Sequence, residues 1–155
     1  MIRYVSGDLL TIDANFIVQG VAEGNQEGLG TGLALKISRK WPDVQAAFKR
    51  HARSGRFKGG DLFVVDRTDD RPGVIYLATQ PDMYHATIPY LRRALKRLAL
   101  WVRKTAPGSI AMPKVGAGLG KLSWEGDVKP LLEEYLTDLP SEIIVLEDFK
   151  LTYEA

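Results

Sequence analysis

Hydrophobic positions in this chain alternate between short continuous runs and longer stretches of helical spacing, punctuated by glycine, proline and aspartate clusters. Residues 2–5 make a brief apolar run closed by Ser6-Gly7-Asp8, which predicts a strand and a turn. Residues 9–12 have room for one helical turn. Residues 16–21 are apolar except for Gln19, the pattern of a strand buried on both faces. Residues 24–32 are glycine-dense and polar, hence a loop, and Leu33, Ala34 and Ile37 then begin a helix interrupted near Trp41-Pro42. Pro42 suits the first turn of a second helix reaching about Ala52.

The second half continues the alternation. Residues 62–65 read as a strand, and Asp69-Asp70-Arg71-Pro72-Gly73 as the turn into a strand over 74–78. Residues 79–86 read as a loop. Thr87 is placed to cap a long helix to Lys104, with Leu91, Ala94, Leu95, Leu98 and Val102 at i, i+3, i+4 spacing. Pro107-Gly108 ends it. Strand 110–112, helix 124–136 and strand 143–146 complete the order, with no internal repeat, linker or low-complexity tract. Strands interleaved with helices predict an α/β fold whose central sheet is covered on both faces. Ligands of such folds sit beyond the carboxyl ends of the strands.

One segment carries the most chemistry: Met112-Pro113-Lys114-Val115-Gly116-Ala117-Gly118-Leu119-Gly120-Lys121-Leu122-Ser123-Trp124. It runs from a strand through three alternating glycines into a helix. Such glycines leave backbone N–H groups free to face one concavity, and donors at a helix start attract phosphate. The loop at 24–32 has the same strand-loop-helix context, so two bare-backbone loops could close on a diphosphate from both sides. Neither contains the Gly-Lys-Ser/Thr of a P-loop or the dinucleotide fingerprint, so nucleotide hydrolysis and hydride transfer are not predicted.

Composition narrows the alternatives. The 155 residues suit one domain, and a formal charge of +2 is too small to argue for nucleic acid unless the charges are segregated. Arg92, Arg93, Lys96 and Arg97 line the polar face of the long helix. That is a solvated face by default, and a nucleic-acid contact if the substrate is modified DNA or RNA. The absence of cysteine removes thiolate chemistry, and His51 and His85 are too few for a histidine metal cluster. No metal and no cofactor are implied. Without an apolar signal core or membrane-length run, a cytoplasmic, soluble protein with no membrane partner is expected.

Three segments in order, Val5-Ser6-Gly7-Asp8-Leu9-Leu10, Asn25-Gln26-Glu27-Gly28-Leu29-Gly30-Thr31-Gly32-Leu33-Ala34 and the 112–124 segment, resemble the signatures of the macrodomain family over essentially the whole chain. The third looks most like the terminal ADP-ribose glycohydrolase and DarG-like branch. The resemblance implies a single macrodomain over residues 1–155, a three-layer α/β/α fold with a central mixed, mostly parallel sheet. It implies ADP-ribose, or an ADP-ribosylated protein or nucleic acid, as the partner, and hydrolysis of the ADP-ribosyl link. A reader or sensor that only binds ADP-ribose is the alternative.

By position, the resemblance makes Asp8 an acceptor for the adenine amino group, with the Leu9 N–H reaching the ring. Gly28, Leu29 and Gly30 would approach the diphosphate and distal ribose, and Gly116, Ala117, Gly118, Leu119 and Gly120 would supply the opposing amides. Asn25 would hydrogen-bond the distal ribose, its bland alternative being a loop asparagine serving backbone geometry. The branch's catalytic lysine is matched here by Gln80, and its acid by Gly120. An amide can form no Schiff base and is no general base at neutral pH. Gln80 as a water-orienting group and His85 as acid or base are then the catalytic candidates. Tyr84 could stack on the ligand, and Trp124 reads as a core anchor.

Overall fold

The computed structural model of the protein describes residues 1–24, 32–82, 84–117 and 120–149. Six strands form one sheet: β1 (Ile2–Gly7), β2 (Phe16–Ala22), β3 (Leu62–Val65), β4 (Gly73–Gln80), β5 (Ser109–Met112) and β6 (Glu142–Phe149), in spatial order β1-β6-β5-β2-β4-β3. Every neighbouring pair is parallel except β3 with β4, so the sheet is mixed and mostly parallel, as expected. The helices are α1 (Gly32–Lys40), α2 (Pro42–Arg53), α3 (Ile88–Thr105) and α4 (Lys129–Leu136), the last preceded by a π turn over Trp124–Val128.

Period-two alternation sorts each central strand between two cores. Val18, Leu77, Met112 and Val145 point to the side packed by Leu91, Leu95 and Leu98 of α3 and Leu132 of α4. Ile17, Tyr76, Ala111 and Ile144 point to the side packed by Ile37 of α1 and Val44 and Phe48 of α2. Three layers result, because uninterrupted apolar strands must be covered on both faces.

Several elements differ from the sequence reading. Strand β1 runs on through Ser6 and Gly7, where a turn was expected, and β6 runs to Phe149, because the two strands stay paired there. Strand β4 continues through Thr79 and Gln80, because Ala22 of β2 still pairs with Gln80. The helix expected from 124 opens as a π turn, in which the N–H groups of both Asp127 and Val128 donate to the Ser123 carbonyl. The Ser123 hydroxyl accepts from the Gly126 N–H at 3.1 Å, while its own N–H donates to the Asp127 carboxylate at 3.0 Å. Among the described residues no helix is long and apolar enough to cross a membrane.

Candidate functional site

A cleft of about 550 Å³ opens at the carboxyl ends of β1, β6 and β5, within the range of small-ligand pockets. Its floor at β1 is Gly7 and Asp8, and its apolar walls are Leu9, Leu10, Leu33, Leu122, Trp124 and Leu146. Lys36 of α1 and Lys114 and Ala117 of the loop after β5 also line it. Leu33 and Lys36 of α1 and Lys114, Ala117 and Leu122 of the loop after β5 therefore line one cleft.

Asp8 is buried at the end of β1. One of its carboxylate oxygens accepts the Leu10 N–H at 2.9 Å, and its carbonyl accepts the N–H groups of Thr11 and Ile12, which makes the helical turn expected over 9–12. A carboxylate has acceptor capacity beyond that one bond. Leu9 is buried and contributes to the cleft wall.

The loop after β5 is built from short reverse turns. Val115 N–H donates to Pro113 O at 2.8 Å, Ala117 N–H to Lys114 O at 3.1 Å, and Leu122 N–H to Gly116 O at 2.9 Å. Gly116 sits at φ +79°, a conformation that side chains disfavour. At Gly120 a Cβ would lie 2.6 Å from the Gly116 carbonyl oxygen and 2.7 Å from Ala86 Cβ. Ala117 faces the cleft, whereas Gly116 and Gly120 shape the loop without lining it. Asn25, Gly28, Leu29, Gly30, Gly118 and Leu119 lie outside the described residues.

Gln80 is buried at the end of β4, where its carbonyl accepts the Glu23 N–H at 2.9 Å and its side-chain amide donates to the Asp82 carbonyl at 2.7 Å. The segment that follows is fastened to the other glycine loop, since Ala86 N–H donates to Gly120 O at 2.8 Å. Gln80 therefore stands between the strand that leads into the 24–32 loop and the segment tied to the 116–120 loop. His85 is exposed on that segment. Its N–H and that of Tyr84 donate to one Asp82 carboxylate oxygen at 2.8 and 2.7 Å, and its Nδ1 lies 3.4 Å from the same oxygen. These bonds, the Tyr84 N–H foremost, hold the Asp82 carboxyl below its ordinary range. Neither Gln80 nor His85 lines the 550 Å³ cleft.

Several cleft residues escaped the sequence reading. Trp124 is a wall of the cleft rather than a core anchor alone. Its indole N–H donates to Glu147 at 3.0 Å, and Lys129 Nζ lies 3.4 Å from the same oxygen. The indole first and then Lys129 keep the Glu147 carboxyl below its ordinary range. Glu147 also lines the cleft, and its place at the carboxyl end of a buried strand was the signal available for it. Two of the four cations on the polar face of α3 are ion-paired, Arg92 with Glu134 at 3.1 Å and Arg97 with Asp61 at 3.2 Å, while Arg93 donates to the Gly59 carbonyl at 3.2 Å and keeps its charge.

No family model matches the chain. Among curated proteins it is 34% identical over 145 residues to the DNA ADP-ribosyl glycohydrolase of Mycobacterium tuberculosis, an overlap covering 90% of this chain and 40% of the relative. It is 29% identical over 135 residues to the bovine ADP-ribose glycohydrolase OARD1, covering 86% of this chain and 82% of that protein. Among solved structures, the macrodomain of Thermus aquaticus DarG superposes with a TM-score of 0.84 at 31% identity, covering 95% of this chain and 98% of that one. The chain thus spans about two fifths of the length of the mycobacterial relative.

Proposed function

Since this chain belongs to the macrodomain family, in its DarG-like branch, we propose that it binds ADP-ribose in the cleft at the ends of β1, β6 and β5 and hydrolyses ADP-ribosyl links to a protein or nucleic acid. The observation that carries the reading is the shared cleft: a buried carboxylate at one end, an apolar slot between, and the start of α1 and the glycine-containing loop after β5 on its rim. Adenine would sit against the leucines and Trp124 with Asp8 accepting from its amino group. The diphosphate would lie between the start of α1 and Ala117, and the distal ribose would point toward Gln80.

Hydrolysis adds water across the glycosidic bond, returning ADP-ribose and a protonated acceptor. Positive charge that builds on the ribose as the bond breaks is stabilised by the neighbouring diphosphate. Gln80 can position the water, because its amide nitrogen is already fixed by the Asp82 carbonyl, which leaves the side-chain oxygen oriented. His85 supplies a group able to carry a proton. The names of the relatives, glycohydrolases acting on ADP-ribose or on DNA, favour turnover.

One observation favours a second reading, binding without turnover: the position matching the branch's lysine holds an amide already engaged in a hydrogen bond. Calorimetric titration with ADP-ribose tests the shared claim, and no heat at millimolar ligand removes both readings. Chromatographic assay of ADP-ribose released from mono-ADP-ribosylated protein and from thymidine-modified single-stranded DNA separates them. Release from either acceptor is expected. Release that survives in the Gln80→Ala/His85→Ala double variant removes both residues from the chemistry.

A further inference from the structure

Charge is distributed very unevenly in this protein. Residues 32–58 hold eight of the chain's 21 basic residues and one of its 19 acidic ones, so this stretch is formally +7 within a chain of +2. In space it is the α1–α2 layer. The one acid, Asp43, is engaged by Arg71 at 2.9 Å. By contrast, Arg39, Lys49, Arg50, Arg53, Arg56 and Lys58 have no ion-pair partner among the described residues. A surface groove of about 390 Å³ runs along α2 between Gln45, Lys49, Arg50 and Arg53. Cations in the last turn of a helix favour the macrodipole, which accounts for Arg50 and Arg53. The same holds for Arg39 in the last turn of α1. It does not account for Lys49, Arg56 or Lys58, whose mutual repulsion opposes folding.

This face joins the cleft. Lys36 of α1 lines the cleft itself. At the other end of α2, the segment carrying Arg56 and Lys58 lies across the carboxyl ends of β2 and β4. Gly24 N–H donates to Phe57 O at 2.8 Å, Gly59 N–H to the Glu23 carboxylate at 2.7 Å, and Gly60 N–H to Ala78 O at 2.8 Å. Glu23 in turn donates its N–H to the Gln80 carbonyl, so the cationic band ends beside the corner toward which the distal ribose would point.

We propose that the α1–α2 face is the docking surface for the phosphate backbone of a single-stranded nucleic acid bearing the ADP-ribosyl group, a step that rests on the ADP-ribose reading of the cleft. Phosphates are the complement of an unpaired cationic band. A single strand is required because a modified base within a duplex cannot reach a cleft without leaving the stack. The exposed large apolar residues among those described, Met1, Tyr84, Ile88 and Leu100, all lie outside the α1–α2 layer, so nothing there would insert into a bilayer. The face of α3 is the weaker candidate. Two of its arginines are paired with acids, and its unpaired Arg103 and Lys104 lie at the end of the helix that precedes β5, away from the cleft.

The test is fluorescence anisotropy of the full chain with labelled, unmodified oligothymidylate across a salt series. The wild type is compared with Lys49→Ala/Arg50→Ala/Arg53→Ala and with an equal-charge α3 variant, Lys96→Ala/Arg103→Ala/Lys104→Ala. Each backbone cation contributes about 0.7 to the slope of log K against log salt on a single strand, so the α2 variant should lose about two from the slope and bind at least about tenfold more weakly at low salt. The α3 variant should bind as the wild type does, and both should keep their melting temperature and their calorimetric affinity for free ADP-ribose. Any of four results overturns the proposal: no oligonucleotide binding by the wild type, equal losses in both variants, tighter binding of a duplex of the same length, or tighter binding to phosphatidylserine vesicles. Failure of the wild type to bind free ADP-ribose is a separate result that removes the cleft reading, while the oligonucleotide series still decides the surface.

Discussion

At the scale of single residues, Asp8 does two jobs with one carboxylate. It holds the turn after β1 through the Leu10 N–H, and it presents acceptor capacity to the cleft. Asp8→Asn separates these roles, since the amide oxygen can keep the turn while the second acceptor becomes a donor. A hydrogen bond to a charged group contributes about 1.5–3 kcal/mol. Affinity for ADP-ribose should therefore fall by about tenfold or more in calorimetry, with the melting temperature little changed. Unaltered affinity would remove Asp8 from ligand recognition. Gly120 shows the same economy in the backbone, where any side chain would collide with the Gly116 carbonyl, an atom that cannot rotate away.

At the scale of elements, the junction of β4 and α3 fixes where Gln80 and His85 stand. Thr87 N–H donates to the Thr79 carbonyl at 3.1 Å, and the Thr87 hydroxyl accepts the Tyr90 N–H at 3.3 Å as the cap of α3. Thr87→Ala leaves a helix donor without its cap and should cost about 1 kcal/mol, read as a lower urea midpoint with an unchanged slope. If the midpoint does not move, that cap contributes nothing to stability. The π turn before α4 belongs to this scale too. Its extra residue per turn comes where Trp124 meets both Glu147 and the cleft, the functional setting in which such bulges recur.

At the scale of the whole molecule, phenol groups limit stability in alkali. Burial foremost, with Glu133 accepting the Tyr4 hydroxyl at 2.6 Å, raises Tyr4 well above its ordinary value, and burial does the same to Tyr76. A group raised on folding contributes stability that is fully present below its unfolded value, about 10 for tyrosine, and lost as pH rises through the folded value. Unfolding free energy should therefore decline from about pH 10 upward. Ultraviolet titration of phenolate should show Tyr4 and Tyr76 ionising together with unfolding, and Tyr76→Phe should flatten the decline. A decline of the same steepness in that variant would contradict the assignment.

How much of this was legible in the chain itself depends on how local each signal is. The apolar runs at 16–21, 74–78 and 143–146 and the helical spacing from Leu91 to Val102 determine the layers, because burial periodicity is written residue by residue. The turn at Asp8 and the family resemblance were equally readable, since each rests on contiguous strings of residues. Other features depended on positions far apart in sequence. Trp124 became a cleft wall because Glu147, 23 residues away, accepts its indole N–H. Arg92 and Arg97 of α3 met acids distant in sequence, Glu134 and Asp61. Arg39 of α1 and Lys49, Arg50 and Arg53 of α2 form a cationic face because, among the described residues, folding brought them no ion-pair partner, while Asp43 is taken by Arg71. A one-dimensional pattern records which charges exist, and only the packed chain decides which of them meet.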